Sequence, residues 1–205
     1  MVVGMAMEAV AWRMVASRRR NVWIVMTPAL VVMGLAALAI GPPAWSPLVD
    51  PVTAIGVGLL AGAALYVATR GFVAMVRRWS AFQRQSSSMY LRREPLSVAG
   101  ALLLSVGLLV PGEELFWRGL FQVELVEALG DRAALAAVLS WGAFVAANLP
   151  SANLAIVAGA SVGGAVWTAL GWWTGGALAP LASHAVWTAL MLSVPVVPVR
   201  EGVAS

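Results

Sequence analysis

The chain of 205 residues has no cysteine, no lysine and one histidine, and its charged residues make up only 11% of the sequence. Without cysteine there is no disulfide, no thiolate nucleophile and no thiolate metal site. One histidine and no cysteine leave too few typical ligands for zinc, and nothing in the sequence calls for a metal or any other cofactor. The scarcity of charge, with 61% hydrophobic residues and a mean hydropathy of +0.87, excludes an ordinary soluble globule. The chain reads instead as an all-α, polytopic membrane helix bundle of about six transmembrane helices, at home in the cell membrane. Its 13 basic residues are all arginine and collect in short runs between apolar stretches, as a positive-inside bias requires. The net charge of +4 therefore concerns membrane lipid rather than nucleic acid.

Residues 1–20 suggest a short interfacial helix ending in the Arg18 to Arg20 anchor, which places the amino terminus, and by the even span count the carboxyl terminus, on the cytoplasmic side. The apolar run that follows lacks a small-residue cleavage pattern and is expected to be a retained span. Spans are expected at 22–40, 52–69, 96–110, 133–148, 154–170 and 177–195, the first of them about 28 Å long as a helix and so a match to the hydrocarbon layer. Gly41-Pro42-Pro43 breaks the first, and Glu94-Pro95 opens the third. Between the second and third, residues 70–94 hold the densest arginine cluster. Phe72, Met75, Val76, Trp79 and Phe82 recur opposite it, as in an amphipathic helix lying on the membrane or, alternatively, a plain cytoplasmic loop. Ser86-Ser87-Ser88 is expected to be a flexible joint. The organisation is thus a two-span region with a basic helix over 1–95, a four-span core over 96–195 and a tail over 196–205.

The core opens on Pro111-Gly112-Glu113-Glu114-Leu115-Phe116-Trp117-Arg118-Gly119, two carboxylates and an arginine straight after an apolar run. Charges at membrane depth cost several kcal/mol, roughly 2.5–3.5 each by insertion scales, so they stay where they pair or line a polar cavity. Glu114 and Arg118 are spaced i,i+4 on one helix face, with Glu113 about 100° further round. One carboxylate is thereby neutralised and the other left free, although an ordinary interfacial ion pair has the same spacing.

Downstream, residues 133–199 hold no Asp, Glu, Lys or Arg, and His184 is their one titratable group near neutrality. Gly130-Asp131 is the expected turn, with Asp131 capping the next helix. Glu113 and Asn148 lie about 17 residues to either side of it and so at similar height in an antiparallel hairpin. Phe144 and Asn148 share a face, as do His184 and Thr188. Alternatives stand beside each: Asn148 as a helix C-cap, His184 satisfied by a backbone carbonyl, Thr188 bonded to its own preceding turn.

These residues resemble the CPBP family, named for CAAX proteases and bacteriocin-processing enzymes and also called Abi proteins. The resemblance rests on Glu-Glu-x-x-x-Arg at Glu113, Glu114 and Arg118, on Phe144 four before a polar residue, and on Leu178-Ala179-Pro180-Leu181-Ala182-Ser183-His184-Ala185. It covers roughly 96–195. It implies an intramembrane endopeptidase of the glutamate type acting on a peptide or protein substrate in the membrane. Glu113 would be the water-activating base with His184 as its partner, Glu114 and Arg118 a structural pair, and Asn148 an oxyanion or substrate donor. Two positions depart from the family pattern, Asn148 where it has histidine and Thr188 where it has asparagine. A catalytically inactive relative that binds membrane peptides and a small proton-coupled transporter are the rival readings, although the paired broken helices of many transporters are not evident.

Overall fold

The computed structural model describes residues 1–18, 20–91 and 96–197. Among them the chain is all helix. The elements are α1 (Val2–Arg18), α2 (Val22–Ile40), α3 (Pro51–Met75), α4 (Ser80–Leu91), α5 (Val98–Leu104), α6 (Val110–Phe116), α7 (Gln122–Leu129), α8 (Ala133–Asn148), α9 (Leu154–Thr174) and α10 (Leu178–Ser193). Five-residue π turns, Ser105–Leu109 and Trp117–Phe121, join α5, α6 and α7 into one continuous helical path. Four stretches are long and apolar enough to cross a membrane: Val22–Ile40, Pro51–Met75, Val98–Ser151 and Leu154–Thr174, with Leu178–Ser193 a shorter apolar helix. The third folds back at Gly130, whose φ of 55° is a left-handed value that glycine adopts without cost, so α7 and α8 pack side by side. Its two arms bring the passes to the six expected.

The ends of these helices follow from local chemistry. Asp50 caps α3 by accepting from the Thr53 backbone N–H at 3.0 Å, and the Thr53 side chain together with this backbone bond holds the exposed carboxyl below its ordinary range. Asn153 accepts from the Ala155 and Ile156 N–H groups and so starts α9. Gly175, with φ of 73°, ends it. The loop 41–50 supplies the carbonyls of Ala44 and Trp45 to the N–H groups of Ala177 and Leu178, both at 2.9 Å, satisfying the exposed start of α10.

Five expectations need correction. The amino-terminal helix is more than an anchor: α1 packs on α2, α8 and the 149–151 turn, with Ala11 and Val15 in the main core cluster. The second span runs on to Met75, taking in Arg70 and Phe72, because nothing between Thr69 and Met75 breaks a helix. Ser86 to Ser88 are not a joint but lie within α4, where the Ser88 hydroxyl donates to the Gln85 carbonyl at 2.7 Å and Ser86 is buried. Asp131 makes no cap for α8; it sits in the 3-10 turn Gly130–Arg132, and Arg132 takes the N-cap position without a side-chain bond. The third span continues past Val110 through Pro111 to Leu129. Proline has no N–H and crowds the carbonyl four residues back, and the wider π turn just before it accommodates both. Arg19, Arg92, Arg93, Glu94-Pro95 and the tail beyond Val197 lie outside the described residues.

Apolar burial drives little helix association in lipid, where tails are as apolar as leucine, so close approach of small residues carries more of the packing. At Gly112 the approach is extreme. A Cβ there would collide with the Leu30 carbonyl of α2, a backbone atom that cannot swing away. Gly62 meets the Ser183 carbonyl in the same way and seats α10, which carries His184, against α3. Gly112→Ala is therefore expected to lose about 1–3 kcal/mol through overpacking, read as a lower thermal midpoint in detergent. A wild-type midpoint would disprove the contact.

Candidate active site

Glu114 has no exposed surface, and the sequence puts it between two partners. Its Oε1 accepts from Arg118 Nη1 at 3.2 Å, one helical turn on, and meets His184 Nδ1 at 2.7 Å across the bundle. A carboxylate paired with a guanidinium can only accept, so Nδ1 is the donor and the neutral ring keeps its lone pair on Nε2. The imidazole is then clamped flat. Trp167 of α9 stacks on it with centroids 3.6 Å apart and planes 16° from parallel.

Arg118 is anchored through both terminal nitrogens. Besides Glu114 it donates through Nη2 to the Gly164 carbonyl at 3.3 Å and to Thr168 Oγ1 at 3.4 Å. Its guanidinium carbon lies 4.4 Å from the Phe144 ring centroid and 5.7 Å from that of Trp167. The planar fork and delocalised charge of arginine suit this mix of donors and ring faces. Gln122, one residue past the second π turn, adds a bond from Nε2 to the Thr168 carbonyl at 3.0 Å and ties the same path to α9.

Glu113 differs from its neighbour. It is half-buried, makes no hydrogen bond to a described residue, and lies within electrostatic reach of Glu8, Glu114 and Arg118. Asn148 is 4% exposed, and its Nδ2 donates to Glu8 Oε1 at 2.9 Å and to the Phe144 carbonyl at 3.0 Å. Both amide hydrogens are thus spent, and an oxyanion role would first require breaking one of these bonds. Thr188, a turn beyond His184, lines an apolar cavity of about 410 Å³ between α3, α4, α9 and α10. Among the described residues it makes no hydrogen bond to the charged ones.

The structure therefore gathers Glu114, Arg118, Phe144 and His184 into one contact network, sets Glu113 and Asn148 beside it, and leaves Thr188 on an apolar wall. It pairs His184 with Glu114, where the sequence pointed to Glu113. Five buried polar atoms here have no partner among the described residues: Glu114 Oε2, Arg118 Nε, Gln122 Oε1, Trp167 Nε1 and Ser183 Oγ. Sequence reasoning missed Glu8, Trp167, Thr168 and Gln122. The rarity of acidic residues was the one clue to Glu8; Trp167, Thr168 and Gln122 look like any residues of an apolar or interfacial helix.

A carboxylate that orients an imidazole, with a second carboxylate unengaged nearby, supplies the parts of general base chemistry. Residues 95–190 match the family model of Rce1-like type II CAAX prenyl endopeptidases. Neither the curated proteins nor the solved structures give a match to this chain.

Proposed function

From the match of residues 95–190 to the Rce1-like family model, we propose that this chain is a CPBP-family, glutamate-type intramembrane endopeptidase of the cell membrane. Glu113 takes a proton from the attacking water. His184 is its partner, with Nε2 free because Glu114 engages Nδ1. Arg118 donates to Glu114, and Phe144 and Trp167 pack over the arginine and the imidazole. A water hydrogen-bonded between a carboxylate and an imidazole adds its oxygen to the peptide carbonyl carbon, and the proton removed is passed to the departing amine. The observation that carries this reading is the 2.7 Å contact between His184 and Glu114 beside an unengaged Glu113.

The engaged Asn148 amide favours a second reading, a weakened or inactive relative that binds membrane peptides. One experiment separates the two. Purified protein in lipid is expected to cleave members of a panel of prenylated and unprenylated membrane peptides. Asn148→His with Thr188→Asn, which restores the family pattern, is expected to cleave faster if the natural protein is a weakened protease. If both proteins are inert across the panel, the binding reading replaces the protease.

A further inference from the structure

Glu8 is an acidic side chain with no exposed surface, carried by a helix outside the family-matched segment. A buried carboxylate costs several kcal/mol unless its oxygens are satisfied, and here both are. Oε2 accepts from Trp117 Nε1 at 2.7 Å and Oε1 from Asn148 Nδ2 at 2.9 Å. Trp117 lies directly before Arg118. Asn148 lies a turn beyond Phe144, whose ring covers the Arg118 guanidinium.

On the protease reading above, we propose that Glu8 is a positioning residue of the site, which fixes the Asn148 side chain so that its carbonyl oxygen, Oδ1, is the group offered to the attacking water. The reasoning is one of donors and acceptors. An amide can be turned end for end at almost no change in shape, and only its partners choose the orientation. A carboxylate has nothing to donate, so it must be met by Nδ2. The Phe144 carbonyl, another pure acceptor, takes the second hydrogen at 3.0 Å. Oδ1 is what remains, and an acceptor there holds one hydrogen of a water while a base removes the other. Nor is Glu8 a removable plug. Ala11 and Val15 bind α1 into the core, and a Cβ at Gly4 would run into the Phe116 ring.

The test uses the full chain in lipid. Selective 15N labelling of asparagine, with Asn21 and Asn153 as internal controls, reports the Asn148 side-chain amide directly. Glu8→Gln keeps the shape but offers a donor where the carboxylate only accepted. The Asn148 resonances are expected to move while those of Asn21 and Asn153 stay. The variant's kcat should fall by about 10- to 100-fold with KM little changed, as for a misplaced reactant. Because Glu8 acts through Asn148, the same change in an Asn148→Ala background should cost nothing further. Unmoved Asn148 resonances overturn the proposal, and so does an equal loss of kcat in both backgrounds. If Glu8→Gln alone fails to fold, combining it with Asn148→Asp rebuilds the bond in reverse, donor from position 8 to acceptor at 148. Recovery of the fold supports the direct pairing, and failure of the swap counts against it. If the natural protein cleaves no peptide, the protease reading falls, and the resonances alone still decide whether Glu8 orients Asn148.

Discussion

Glu113→Gln and His184→Ala are each expected to abolish cleavage of a membrane peptide, and the double variant is expected to be little worse than either alone. Groups that act as a unit on one water lose nearly all of their effect when either is removed, commonly about 10⁴–10⁶ in kcat, and the second removal finds little left to lose. The two substitutions differ in what they disturb. Glu113 has no hydrogen bond to a described residue, so the change to glutamine should leave the thermal midpoint close to that of the natural protein. His184 fills the space between Trp167 and Glu114, so its removal should also lower the midpoint. Glu114→Gln is a poorer probe of chemistry, because it unpairs Arg118 as well. Single-turnover rates in lipid, with circular dichroism melts on the same preparations, check both. Additive losses, in which the double variant falls by the product of the single effects, would break the unit apart and sink the assignment.

Arg118→Ala is expected to be the most destabilising single change in the core. It strands the Glu114 carboxylate with no exposed surface and no cation, and it removes the donors to the Gly164 carbonyl and Thr168. Removing one partner of a buried pair typically costs about 3–5 kcal/mol, because the other charge stays behind. Folded yield in detergent and the thermal midpoint should both drop sharply. Arg118→Lys keeps the charge but cannot reach three acceptors and lie flat against two rings, so it should recover only part of the loss. An Arg118→Ala protein that melts with the natural one would remove the pairing argument.

What the sequence disclosed and what it hid divide along physical lines. The apolar runs, the break at Gly41-Pro42-Pro43 and the turn at Gly130 are local properties, and helices form there, although the second and third run further than the apolar runs alone indicate. The Glu114–Arg118 pair is fixed by the pitch of one helix, so counting residues was enough. Glu8 was invisible because its partners Trp117 and Asn148 lie 109 and 140 residues away, and no periodicity relates one end of the chain to its middle. His184 was expected beside Glu113 and is found on Glu114 for a related reason. Neighbours in sequence differ by about 100° in direction, and the helix axis that decides between them is set by packing. The triple serine misled because composition favoured a joint, whereas contact with α9 through Gln85 and Asn153 holds it in a helix.

The two π turns make the long path from Val98 to Leu129 a helix with two changes of phase. Each turn accommodates an extra residue in the winding, so a stripe that faces the core in α5 is out of step with the one in α6 and again with the one in α7. The seven residues between them, Val110 to Phe116, form a segment with a phase of its own. Lipid-facing positions in α5 and α7 can drift to suit bilayer thickness or headgroup without turning Glu113 or Glu114 off their bearings. In a long membrane helix that must both fit a variable solvent and aim two carboxylates, such phase breaks separate the two demands.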